Sequence, residues 1–265
     1  MSKEKNQTSK SNKIANILIV ICLLIVAGCV AYIGFYFWNQ KRQSDKYEQI
    51  ASEAYAAGKG TEEDTASTEE KPQIPIDFET LQKKNPDIYA WIKIPGTVVD
   101  YPILQSATDD GYYLNHTVDG TNGLPGSIYT EQANTKDFSD FNTVIYGHHM
   151  KNRTMFGSLH KYRDEEFMKQ NATIYIYTPD SILTYEVFAA VTYSDDHILN
   201  TFDFSRESGR KKYLDSIYSI RDMNSPIRED VPVDADSRII TLSTCIGGQP
   251  NNRLLVEAVL VDEQK

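Results

Sequence analysis

Cys245, His148 and Arg253 are the residues whose types and spacing could do covalent chemistry. Cys245 is the only cysteine beyond residue 29, and it ends an apolar, β-branched run, Arg238 to Thr244. A Gly-Gly turn follows at Gly247-Gly248, and a second strand-like run begins at Arg253. A thiol at the end of a strand is presented at the rim of a sheet, where a guanidinium on the neighbouring strand can reach it. Upstream, Thr143-Val144-Ile145-Tyr146-Gly147 leads into His148 and His149. A histidine is the other half that a cysteine nucleophile needs.

The competing readings are plain. A lone cysteine is most often a buried, inert packing residue. Here Ser243-Thr244 before it and Gly247-Gly248 after it predict a surface strand end, which favours the nucleophile. On a strand, adjacent residues face opposite sides, so only one of His148 and His149 can face the cysteine. That alternation also disfavours a zinc site built from the two histidines and Cys245, since no fourth ligand sits at a metal-like spacing. Ser243, two residues before Cys245, shares its face and is a candidate substrate contact; otherwise it only satisfies a sheet edge.

The elements that must position these groups are mostly strands. Ile88–Ile94, Val98–Leu104, Gly111–Asn115, Ser127–Thr130, Thr143–His149, Thr173–Thr178, Ile182–Tyr193, Arg238–Cys245 and Arg253–Asp262 are rich in Val, Ile, Tyr and Thr. Asp77–Lys84 reads as a short helix with an acidic N-cap. Short helical pieces are predicted over Met155–Tyr162 and Asp164–Gln170. A longer helix is predicted over Ser205–Met223, where Tyr213, Leu214, Ile217 and Ile220 recur at helical spacing. Seven or eight strands with a helix inserted late predict a mainly β fold, a closed barrel with peripheral helices.

Ile14–Trp38 holds 25 residues without a charge, enough to cross a hydrocarbon core of about 30 Å. Lys3, Lys5, Lys10 and Lys13 precede it and aromatic residues crowd its far end, which favours a cytoplasmic N-terminus and an exported C-terminus. A cleaved signal peptide would have a shorter apolar core. Val26-Ala27-Gly28-Cys29 resembles a lipobox, but modification at Cys29 would leave an apolar stub through Trp38. The division expected is residues 1–13 as tail, 14–38 as uncleaved signal anchor, 39–75 as extracellular stalk and 76–265 as folded domain. Thr61–Glu70, acidic and poor in apolar residues, reads as a flexible tether.

Residues 1–46 carry seven Lys/Arg and two Asp/Glu. That leaves 20 and 35 in residues 47–265, a net charge of −15. Nucleic acid is therefore not an expected partner, because neutralising phosphates needs clustered Lys/Arg. One cysteine in an exported domain excludes an internal disulfide.

Tyr146-Gly147-His148, Leu242-Ser243-Thr244-Cys245 and Arg253 together resemble the sortases, and the pattern looks like class B. The likeness runs from about Ile76 to the C-terminus, with the N-terminal anchor in addition, and takes in Met155-Phe156-Gly157 and the late helix. Cys245 follows His148 by 97 residues and Arg253 follows by eight more. The resemblance selects His148 over His149 and implies a nucleophile at Cys245, general acid–base work at His148, and oxyanion or carbonyl binding at Arg253. The backbone N–H of Ile246 is a candidate second oxyanion donor, and Tyr193–Phe204 would wall the substrate groove. It further implies a membrane-anchored transpeptidase on a Gram-positive surface. Such an enzyme cleaves the C-terminal sorting signal of surface proteins and passes them to a peptidoglycan cross-bridge amine or a pilin lysine. No cofactor or metal is required by this chemistry. Two alternatives remain open at this point: a cysteine endopeptidase resolved by water, and a non-catalytic protein on a stalk.

Overall fold

The computed structural model describes residues 2–58 and 72–265, so the acidic tether Thr61–Glu70 lies outside the described residues. Helix α1 (Ser2–Gly58) is one continuous helix. Within it, Asn16–Ala56 contains an 18-residue window of mean hydropathy 2.9, with none of that window buried. The chain divides into two compact units, residues 1–49 and residues 50–265. The last turns of α1 therefore belong with the folded domain. There, the Tyr55 hydroxyl donates to Asp100 Oδ1 at 2.9 Å, and the Asp77 N–H donates to the Ala54 carbonyl at 3.1 Å.

The domain continues with α2 (Phe78–Lys84), β1 (Ile88–Lys93), β2 (Asp100–Leu104), β3 (Ile128–Tyr129) and β4 (Asn142–Tyr146). Next come α3 (Glu165–Gln170), β5 (Thr173–Tyr177), β6 (Ile182–Ser194), α4 (Ile198–Thr201), α5 (Glu207–Tyr218), β7 (Ile239–Ile246) and β8 (Gln249–Gln264). The eight strands close into a barrel in the order β1-β2-β3-β4-β7-β8-β6-β5. Pairs β2/β3 and β4/β7 are parallel and the others antiparallel. The mainly β, closed-barrel expectation therefore holds, and α2 begins where its sequence said: Asp77 Oδ1 accepts from the Thr80 N–H at 3.0 Å.

Several elements differ from the sequence reading, and β8 (Gln249–Gln264) runs beyond the expected Arg253–Asp262 at both ends. Gly111–Asn115 is not a strand; Tyr112–Leu114 is a turn of 3₁₀ helix. Asp109 drives this turn, its carboxylate accepting from the Gly111 N–H at 2.9 Å and its carbonyl from the Tyr112 N–H at 3.1 Å. Phe156–Arg163 is likewise 3₁₀ rather than α. The strand expected over Thr143–His149 stops at Tyr146. Helix α5 stops at Tyr218, because the Arg221 guanidinium donates to the Tyr218 and Ile220 carbonyls at 2.6 and 2.9 Å. The apolar spacing through Ile220 outlasts the helix that it suggested.

Tyr213, Leu214 and Ile217 of α5 pack on Val144, Phe188, Ile239 and Leu255, covering one outer face of the barrel. Beneath Tyr213 lies Glu257, fully buried at mid-barrel. Its carboxyl groups with the Tyr213 hydroxyl at 2.8 Å and the Thr241 hydroxyl at 2.9 Å. Burial pushes its pKa up to about 8, against the lowering effect of both hydroxyls.

Candidate active site

Strands β7 and β8 present the thiol. Cys245 pairs with Arg253 across the two strands, and immediately afterwards the register breaks, with Ile246 facing Gln249. Three residues of β8, Pro250 to Asn252, are thus left over at the mouth of the hairpin. Along β7 every residue is buried except Cys245, which is exposed. Thr244 and Ile246, on either side of it, point inward at 2 % and 7 % exposure. The strand is anchored by its neighbours and shows solvent one reactive atom.

Arg253 stands beside this thiol, half-buried. Its Nη1 donates to the carbonyls of Pro250 and Asn252, both at 2.9 Å, so the guanidinium ties down the leftover residues of its own strand. A long ion pair to Asp195 at 3.9 Å holds Nη2. The fork is therefore preorganised with donor capacity left over, as an oxyanion partner requires.

His148 reaches the same rim through Gly147. Strand β4 runs parallel to β7, with Tyr146 opposite Ser243. The Gly147 N–H donates to the Ser243 carbonyl at 3.2 Å, and the Thr244 hydroxyl donates to the Gly147 carbonyl at 2.7 Å. A Cβ at Gly147 would lie 2.5 Å from Ile128 and 2.7 Å from Phe156, so only glycine fits. The clamp sets the start of His148, and the Phe156 N–H donates to the His148 carbonyl at 3.1 Å to set its end. The His148 ring meets the Leu114 carbonyl through Nε2 at 2.7 Å. A carbonyl only accepts, so Nε2 carries hydrogen and Nδ1 is the nitrogen left for proton transfer. The 3₁₀ turn that replaced an expected strand is what supplies this carbonyl.

The two adjacent histidines are separated by different means from those the sequence suggested. Both lie beyond the end of β4, so strand alternation does not sort them. His149 stacks instead on His160, with ring centroids 4.1 Å apart. His160 Nε2 lies 3.1 Å from the carbonyl oxygen of Cys245 itself. Burial first, and then neighbouring His149, push the His160 pKa down. Sequence reasoning missed His160, because nothing local in Leu159-His160-Lys161 announces a partner 85 residues away.

Ser243 is 7 % exposed and sits in a row with Tyr146 and Tyr129, partners across three neighbouring strands. The two tyrosine rings stack at 5.3 Å. Burial, then Glu131, push the hydroxyl of each upward. Glu131 in turn bonds His197, just before α4, at 2.8 Å. That contact joins the segment after β3 to the segment after β6. Ile246 is buried at the turn and pairs in register with Gln249 across it.

Comparison with known proteins points to one family. The sortase domain model matches residues 92–261. Sortase B of Listeria monocytogenes is 32 % identical over 222 residues, covering 84 % of this chain and 87 % of that protein. Sortase B of Staphylococcus aureus is 33 % identical over 187 residues, covering 69 % and 74 %. Among solved structures, a Staphylococcus aureus sortase B–substrate complex superposes with a TM-score of 0.69 at 29 % identity, covering 85 % of this chain and 99 % of that one. Clostridium perfringens sortase B gives 0.62 at 30 % identity, covering 70 % and 100 %.

Proposed function

The chain belongs to the sortase family, class B, whose general activity is transpeptidation, and we propose on that premise a membrane-anchored cysteine transpeptidase acting through Cys245. The observation that carries the reading is the pairing of an exposed Cys245 with Arg253 at the rim where the Gly147 clamp delivers His148. In this reading the Cys245 thiolate attacks the carbonyl carbon of the Thr residue in a C-terminal sorting signal. Arg253 takes the developing oxyanion. The Ile246 N–H joins it once the Ile246–Gln249 pair opens over bound substrate. His148, protonated at Nδ1, gives that proton to the departing amine, and the carbonyl re-forms as a thioester. An incoming amine then loses a proton to His148, attacks the thioester, and Cys245 leaves as thiolate.

Substrate binding falls, in the same reading, along the row Tyr129, Tyr146 and Ser243, beneath the segment Tyr193–Phe204. A related structure is described as a substrate complex, which supports a groove for a sorting signal here too. The acceptor is a cross-bridge amine or a pilin lysine. The apolar part of α1, residues 14–38, is the membrane anchor, with 1–13 cytoplasmic and residues 76–265 catalytic at the cell surface.

The test uses the full chain in detergent and a panel of peptides of Asn-Pro-x-Thr and Leu-Pro-x-Thr type. Proteolytic mapping is expected to place a thioester-linked acyl group on Cys245 and to find none in Cys245→Ala. An acyl group on another residue, or adducts that persist in Cys245→Ala, would reject the assignment.

A further inference from the structure

His160 lies outside the triad, yet its ring touches the nucleophile's own backbone. Cys245 is the last residue of β7 in regular register with β8, because the next pair jumps from Arg253 to Gln249. At that break the Cys245 carbonyl meets His160 Nε2 at 3.1 Å. The acceptor is a carbonyl, so His160 must be the Nε2–H tautomer. The ring is in turn held from behind. His149 stacks on it at 4.1 Å, and His149 Cε1 lies 3.9 Å from where a Cβ on Gly247 would be. Two imidazoles thus cover one side of the Cys245–Gly247 backbone, while the thiol is exposed to solvent.

We propose that His160 is a positioning residue: its Nε2–H fixes the peptide plane of Cys245–Ile246 and thereby aims the nucleophile for acyl transfer. A trans peptide is planar, so pinning its C=O also sets the direction of the Ile246 N–H on the opposite edge. One hydrogen bond therefore governs the placement of the thiol's backbone and of a candidate oxyanion donor. His149 acts through His160, as its stacking partner. Burial keeps His160 neutral near pH 7, which spares the stacked pair a charge. The inference rests on Cys245 being the acylated nucleophile.

Two measurements test it in the full-length protein. In single-turnover acylation by a sorting-signal peptide, His160→Leu is expected to lower the maximal rate about 10- to 100-fold, since misplacement of about 1 Å costs that much. The half-saturating peptide concentration is expected to stay within about twofold. His160→Gln, which keeps a donor, should recover most of the rate. Alkylation of Cys245 by iodoacetamide passes through no oxyanion and is expected to be unchanged in His160→Leu. A parallel fall in alkylation and acylation, or no recovery with His160→Gln, would mean a structural role and overturn the proposal, as would an unaltered acylation rate. The second measurement needs no variant to fold. Long-range ¹H–¹⁵N correlation on the wild type should show His160 as the Nε2–H tautomer at pH 7, and the Nδ1–H tautomer would overturn the proposal. If wild-type Cys245 takes no acyl group at all, the transpeptidase reading fails, while the tautomer still decides whether His160 holds the Cys245 carbonyl.

Discussion

Strands β7 and β8 form two very different pairs within four residues of each other. At mid-barrel Thr241 faces Glu257, both fully buried, and their polar atoms bond to each other and to Tyr213. At the rim Cys245 faces Arg253, with the thiol in solvent and the register broken on the next residue. The inner pair is satisfied by fixed hydroxyls, as buried polar groups must be. The outer pair keeps donors and a nucleophile that its neighbours do not consume. One sheet can thus fix the geometry at its middle and leave the chemistry to its end.

Mutations should separate these two pairs cleanly. The largest effect is expected from Cys245→Ala, which abolishes acylation and leaves thermal unfolding within about 1–2 °C, because the side chain is exposed. Arg253→Ala should follow, with acylation lowered about 10²–10³-fold, the usual loss for one oxyanion donor, read by single-turnover kinetics. A loss of peptide binding alone, with the maximal rate intact, would move Arg253 from the oxyanion to the substrate backbone.

At the inner pair the expected effect is on stability and depends on pH. The Glu257 carboxyl titrates near 8 when folded, against an ordinary value of 4.5. The folded state therefore holds a proton that the unfolded chain releases above 4.5. Stability from this group is fully present below pH 4.5 and lost as pH rises through about 8. Glu257→Gln removes the titration. Its stability should fall less than the wild type's between pH 5 and pH 9, by about 2–4 °C in Tm for each kcal/mol involved. Acylation measured below pH 7 should hardly change. Equal pH slopes in both proteins would contradict the buried, protonated state of Glu257.

The smallest expected effect joins the two regions. Thr244→Val keeps the side chain's shape and deletes the 2.7 Å bond to the Gly147 carbonyl. A loss of about 1 kcal/mol of stability is expected by chemical denaturation, with acylation down a few-fold as His148 loosens.

Much of this comparison was legible in the sequence. The β-branched runs marked all eight barrel strands, the shortest of them, Ile128–Tyr129, inside the longer run Ser127–Thr130; the strand end at Cys245, the Gly-Gly turn and the run starting at Arg253 placed thiol and guanidinium side by side. What local pattern hid was set by contacts far apart in the chain. Gly111–Asn115 reads as a strand from its tyrosines, yet the Asp109 carboxylate, accepting from the Gly111 N–H, turns the chain there, and the Leu114 carbonyl is what orients His148. Alternation was the wrong rule for His148 and His149, because β4 ends before either. His160 reaches Cys245 from a 3₁₀ segment with no periodic signature.

The measurement closest to the central claim is how the acyl-enzyme partitions. Wild-type protein charged with a sorting-signal peptide would be given triglycine or a diaminopimelate-type amine, and the products weighed by mass spectrometry. An amine-ligated product is expected to dominate over the hydrolysed one and to rise with amine concentration. Hydrolysed product alone, at every amine concentration, would contradict transpeptidation and make the protein a peptidase.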